Sequence, residues 1–144
     1  MKNIRLILSS AVLTATAFAA EPAAAPSPSA AKDSRCFELR TYYAAPGKLE
    51  ALNARFRDHT CKLFKQHGME IVGFWMPVDK DQGAENKLVY ILAHKSREAA
   101  KASWDAFRAD PAWHTARAAS EANGKLVEKV ESVFLTATDY SPVK

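Results

Sequence analysis

The sequence predicts an α+β domain in the split βαβ order, with four antiparallel strands and two main helices on one side of the sheet. Three observations carry this. Cys36 to Tyr43 alternates, with Phe37, Leu39, Thr41 and Tyr43 on one face and Cys36, Glu38, Arg40 and Tyr42 on the other, which is a strand pattern. After Ala45-Pro46-Gly47 the period changes, and Leu49, Leu52 and Phe56 recur at helical spacing. The same alternation of strand-like and helix-like stretches then continues to Thr138.

The first strand ends at Ala45-Pro46-Gly47 because Pro has no N–H for the ladder and Gly relaxes the backbone. The first helix is expected from Lys48 to Gln66, with Leu49, Leu52, Phe56 and Leu63 inward and Gly68 just past its end. Met69 to Pro77 reads as a second strand, in which Gly73 signals a bulge or the close approach of another backbone or a ligand. Asp79 to Asn86 is a polar loop containing Gly83. Lys87 to His94 is apolar enough for a central strand covered on both faces.

Ser96 suits the N-cap of a second helix whose inner stripe is Ala100, Trp104 and Phe107. Asp110-Pro111 begins a short third helix, running to Asn123 before Gly124, because Asp caps and Pro fits the first helical turn. Lys129 to Thr138 supplies the fourth strand, and 139–144 is a tail. With both helices on one side, the other sheet face is bare. A second copy across a two-fold axis would cover it, so a homodimer is expected from architecture.

The first residues read as an address and not as part of the domain. Lys2 and Arg5 precede an apolar run from Leu6 to Phe18, and Ala17-Phe18-Ala19 offers a cleavage site, so 1–19 is expected to be a signal peptide. The run is short for a membrane anchor, which needs roughly 20 apolar residues. The expected location is therefore periplasmic or secreted, without a stable membrane anchor. Residues 20–34, rich in Ala, Pro and Ser, are expected to be a disordered tether to a domain spanning 35–138.

Removing Lys2 and Arg5 brings the net charge from +4 to about +2, and no basic run remains, so nucleic acid is not an expected partner. Cys36 and Cys61 leave both a disulfide and two thiols open. Their positions along the strand and the returning helix agree with a bond. If the helix covers the Phe37 face, their Cβ vectors point apart.

Several separated pieces resemble one family. Glu38-Leu39-Arg40-Thr41-Tyr42 with Pro46-Gly47-Lys48-Leu49, then Gly68 with Val72-Gly73-Phe74-Trp75, and Asp110-Pro111-Ala112-Trp113 look like the NIPSNAP family. That resemblance implies a ferredoxin-like domain of the dimeric α+β barrel superfamily, which includes cofactor-free monooxygenases, small isomerases and haem-handling proteins. The chain departs from the better-known members in its export signal and Pro/Ala tether. Cytosolic and mitochondrial roles therefore do not transfer.

Candidate chemistry is sparse. Glu38, Arg40 and Tyr42 share a strand face and are expected inside a dimeric barrel, pairing within or across subunits. A structural ion pair that fixes the dimer competes with a site in which Arg40 holds an oxyanion and Tyr42 donates a proton. His94 ends the third strand on the face of Tyr90, where a base or haem ligand would sit, though a strand-end surface histidine is the plainer expectation. Arg40, Tyr42 and His94 are the candidate catalytic residues. Glu38, Trp75, Tyr90 and Trp113 are the candidate ligand-binding residues, whereas Trp104 reads as core packing.

No histidine has metal-ligand spacing, and there is no Gly-rich phosphate loop, CxxC or recognisable Ser/His/Asp set. Neither metal nor cofactor is expected. Two readings remain: a binding domain for a small apolar or aromatic molecule, and a cofactor-independent monooxygenase or isomerase. An enzyme pocket should show a desolvated titratable group facing a cavity.

Overall fold

The computed structural model describes residues 25–144; the expected signal peptide and the first residues of the tether lie outside them. Four strands form one antiparallel sheet: β1 (Cys36–Ala44), β2 (Glu70–Trp75), β3 (Lys87–His94) and β4 (Val127–Thr136), in the order β2-β3-β1-β4. The helices are α1 (Leu49–Arg55), α2 (Cys61–Gln66), α3 (Arg97–Ala109) and α4 (Pro111–Ser120). This is the split βαβ arrangement the sequence predicts.

The first helix is interrupted where periodicity alone indicates a continuous rod. A π-helical turn, Phe56–Thr60, joins α1 to α2, and the Thr60 hydroxyl donates to the Arg55 carbonyl at 3.3 Å. A π turn admits one extra residue without disturbing the flanking α hydrogen bonds, so hydropathy spacing does not reveal it. Gly68, at φ +73°, ends α2 in the left-handed region that favours glycine. Ser96 caps α3 by accepting from Ala99 N, and Asp110 caps α4 by accepting from Ala112 N.

Strand register decides which face is covered. Glu38, Arg40 and Tyr42 lie opposite Leu92, Tyr90 and Leu88 of β3, and these residues face the helices. The core there joins Leu52, Phe56, Phe64, Leu88, Tyr90, Leu92, Trp104 and Phe107. The Phe56 ring meets Tyr42, Phe64, Phe74 and Tyr90 at centroid distances of 5.3–6.1 Å. Of the two faces of β1, the helices therefore do not cover the Phe37 face, and the placement of Glu38, Arg40 and Tyr42 on a bare face inside a dimeric barrel is corrected. Phe37, Leu39, Thr41 and Tyr43 occupy the other face, and the polar face of β1 packs inward because its charges find partners there.

That correction extends to the cysteines. Both are unpaired. Cys36 stands opposite His94 at one end of β3, whereas Cys61 lines a cleft with Leu88 at the other end. Sharing the covered side does not bring them together, because the separation runs along the strand.

The tether and tail are also shorter than expected. Ala30 bridges Thr138, Ala31 N donates to Ala137 O at 2.9 Å, and Asp139 N donates to Ser29 O at 2.8 Å. Arg35 Nε reaches Lys144 O at 2.8 Å. Ala31, Phe37, Ala93 and Ala137 make a small second cluster on the face away from the helices. Backbone hydrogen bonds thus hold a segment whose composition alone offers little to bury. The rest of that face stays open, with Val133 52% and Leu135 40% exposed.

Gly73 sits at the expected bulge, and what approaches it closely is a side chain, not a backbone or a ligand. The β2–β3 register shifts between Ile71 and Gly73, and the Trp75 ring lies over Gly73 so closely that a Cβ there would stand 2.7 Å from Cη2.

Candidate functional site

Alternation along β1 puts Glu38 and Arg40 on one side, and the helical spacing of α3 brings Trp104 down upon them. Glu38 is only 1% exposed. Its Oε1 accepts from Arg40 Nη1 at 2.7 Å and from Ser132 Oγ at 2.6 Å. Its Oε2 accepts from Trp104 Nε1 at 2.6 Å, with His94 Nε2 at 3.3 Å. Burial by itself raises a carboxyl pKa; here His94, Ser132, Trp104 and the Arg40 charge outweigh it and hold Glu38 at about 2. The Arg40 guanidinium lies 4.2 Å from the Trp104 ring centroid, in cation–π contact.

This arrangement corrects two expectations. The Glu38–Arg40 pair is internal to one subunit, beneath its helices, and does not lie on the bare face. His94 is not a surface histidine: it is buried, and its Nδ1 has no partner among the described residues. Trp104, read from the sequence as packing alone, packs and also donates. Ser132 was missed because an isolated Ser on an edge strand carries no signal until register places it opposite Arg40.

Beside this saturated carboxylate stands an unsaturated group of donors. Arg40 and Tyr90 are direct cross-strand partners, and the Tyr42 ring lies 5.4 Å from that of Tyr90. Arg40 Nε and Tyr90 Oη are both buried without a hydrogen-bond partner. Native proteins rarely leave such groups unpaired, because each costs about 1–3 kcal/mol. Burial pushes the Tyr90 phenol well above its usual pKa, the charge and nearby hydroxyl of Tyr42 add to this and Arg40 opposes it, so Tyr90 stays a neutral O–H donor; the Tyr42 hydroxyl is close, but no hydrogen bond of good geometry joins the two.

Tyr42 forms one wall of a cleft of about 270 Å³ between α4 and β4, with Trp113 and Val130 among its other walls. Arg55, Arg117, Lys125 and Lys129 also line it, against Glu121 and Glu128, so cations predominate. Tyr42 and Trp113 thus line one cleft, and Arg40 and Tyr90 lie behind Tyr42, outside its lining. Trp113 stacks on Phe107 at 4.6 Å and lies under the Arg55 guanidinium at 5.2 Å. Trp75 is not part of this group: it is 51% exposed, lies over Gly73 and lines a separate cleft with Phe56, Cys61 and Phe74. Arg55 was missed because its helical position reads as part of the wet face, whereas it is buried and paired with Glu121 at 3.0 Å.

Antiparallel strands in this order, helices on one face and a charged cluster buried beneath them define a ferredoxin-like α+β domain. The chain belongs to the NIPSNAP family, whose profile matches residues 37–142. It is similar to a NIPSNAP family protein of unknown function from Agrobacterium tumefaciens, at 23% identity and TM-score 0.69, over 80% of this chain and 98% of that one. An uncharacterized NIPSNAP domain protein from Burkholderia xenovorans is 24% identical with TM-score 0.62, over 74% and 98% of the two chains. A second A. tumefaciens NIPSNAP family protein is 18% identical with TM-score 0.64, over 76% and 98%. No curated protein matches the chain. At such identities these structural likenesses establish the fold alone.

Proposed function

We propose that this NIPSNAP domain binds a small organic acid with an apolar or aromatic body, working as an exported homodimer. The observation that carries the reading is the pair of buried donors without acceptors, Arg40 Nε and Tyr90 Oη, behind the Tyr42 wall of a predominantly basic cleft. A carboxylate reaching them when the Tyr42 ring turns aside satisfies both, by charge-assisted hydrogen bonds. Tyr42 and Trp113 offer rings for the ligand's body. The apolar run at Leu6–Phe18 supports export, and the exposed Val133 and Leu135 support pairing through the open sheet face.

The enzyme alternative has less support. Glu38 borders a cleft, but at a pKa of about 2 it is a weak base and its oxygens are already engaged. His94 is packed against the same carboxylate.

The test is titration of the purified chain with benzoate, read by tryptophan fluorescence and by thermal shift. Binding to the wild type is expected, weakened about tenfold in Tyr90→Phe, the scale of one hydrogen bond to a charged group. Failure of benzoate to bind, or an unchanged affinity in a folded Tyr90→Phe variant, overturns the reading.

A further inference from the structure

Arg55 lines the cleft whose Tyr42 wall screens Arg40, and its geometry points to a ligand with two separate acidic groups. This rests on the organic-acid reading above and goes beyond it to a chemical class: dicarboxylates with a planar spacer.

The Arg55 side chain is only 4% exposed, yet it lines the cleft beside Tyr42 and Trp113. Its terminal Nη1 serves Glu121 at 3.0 Å and Ser120 Oγ at 3.4 Å. Its Nε is buried and has no acceptor among the described residues. A permanently charged group so enclosed is expected to use all of its donors. Glu121 does not close the account, since it is shared with Arg117 Nε at 3.1 Å and leaves Arg55 Nε unmet.

Arg40 and Arg55 do not serve as a single clamp. Arg40 rises from β1 and lies against Trp104 and Tyr42, whereas Arg55 ends α1 and lies over Trp113. Each guanidinium has one unengaged Nε–H, on a different element and against a different ring. Arg40 lies behind Tyr42, outside the lining of the cleft, so a carboxylate that reaches it past the Tyr42 ring leaves the ligand's body in the cleft that Trp113 and Arg55 line. A second carboxylate there meets the Arg55 donor. Trp113 supplies a flat surface for a planar spacer.

The probes are terephthalate and benzoate, which share a ring and differ by one carboxylate. Wild-type protein is expected to bind terephthalate at least about tenfold more tightly than benzoate, the scale of one charge-assisted hydrogen bond. Arg55→Met should weaken terephthalate more than benzoate and so remove that preference, a pattern that a merely structural Arg55 would not give. Arg55→Lys keeps the charge and a donor for Glu121 but loses Nε–H. It should lose most of the preference as well, and it serves if the Met variant does not fold. Equal affinity of the two probes for the wild type, or parallel weakening of both by Arg55→Met, overturns the two-group ligand and leaves the single-acid reading standing. Absence of binding by either probe overturns both.

Discussion

Trp104 donates its indole N–H to Glu38 Oε2 at 2.6 Å, so the largest side chain of α3 is bonded to the carboxylate of β1. This contact ties helix layer to sheet through a charge, not only through apolar area. Trp104→Phe keeps most of the packing and removes the donor. The expected loss is about 1.5–3 kcal/mol, the range for a hydrogen bond to an ionised group. Glu38→Gln should cost more, about 3–5 kcal/mol, because it leaves the Arg40 guanidinium in the same place without its counter-charge. Urea unfolding of the two variants checks the order; an equal or reversed pair of losses contradicts it.

Acid should unfold the domain through Glu38. Its folded pKa of about 2 lies below the ordinary 4.5, so protons bind the unfolded chain more readily. The stabilisation is therefore fully present above about pH 4.5, declines as pH falls, and is gone below about pH 2. A shift of this size corresponds to about 3 kcal/mol. Unfolding free energy measured from pH 6 to pH 2 should fall in that window, and the fall should be shallower in Trp104→Phe, which removes one of the donors depressing the pKa.

Alternation and helical spacing were enough to give strand order and helix placement, and β3 runs from Lys87 to His94 as its apolar content indicates. What spacing could not decide was which face of β1 the helices cover. Both faces of Cys36–Tyr43 carry aromatic residues, and the charged one suits the inside of a dimeric barrel as well as the underside of the helices. It packs inward because four donors from β1, β3, α3 and β4 converge on Glu38, a fact of tertiary register. Arg40, Tyr42 and Tyr90 were legible as candidates from their shared face. Arg55 was not, since nothing local distinguishes a buried arginine on a helix from a solvated one. Trp75 lines a different cleft from Tyr42 and Trp113, with Phe56, Cys61 and Phe74, at the far edge strand of the sheet.

Tyr90→Phe should separate stability from binding. With no ligand, the hydroxyl is a buried donor without a partner, and removing it deletes a desolvation cost while the ring keeps its contacts with Phe56, Phe64 and Phe74. The ligand-free variant should therefore equal the wild type or exceed it, by up to about 1 kcal/mol. Thermal unfolding of both proteins in ligand-free buffer checks this. A drop in Tm would show that the hydroxyl already has a partner in the unliganded protein.

The thiols should react slowly and independently. Burial raises the pKa of Cys36, with Arg97 opposing and Glu38 and Glu98 adding, and burial likewise raises Cys61 against the pull of Lys65. Both are therefore protonated at neutral pH, and the thiolate is the reacting species. Reaction with a disulfide reagent at pH 7 should be slow for both and accelerate above pH 9. Mass analysis after alkylation of the unreduced, denatured chain should find two modified cysteines; an unmodified pair would reveal a disulfide.

Association should respond to the open sheet face and not to Arg40. Val133 and Leu135 lie on the side away from the helices, opposite Leu39 and Phe37 of β1, and both are substantially exposed. Arg40 is beneath the helices with its charge committed to Glu38. Reversing it to Glu places two carboxylates together out of water, a folding defect. Val133→Lys adds a solvated charge to an already exposed position, so the subunit should keep its fold and near-native stability. If two copies bury that face against each other, the same charge becomes desolvated, and dissociation should rise at least about tenfold. Sedimentation velocity with parallel circular dichroism separates the outcomes. Arg40→Glu should lose helical signal, and Val133→Lys should keep the signal and sediment as a monomer. A wild type already monomeric at micromolar concentration would remove pairing through this face.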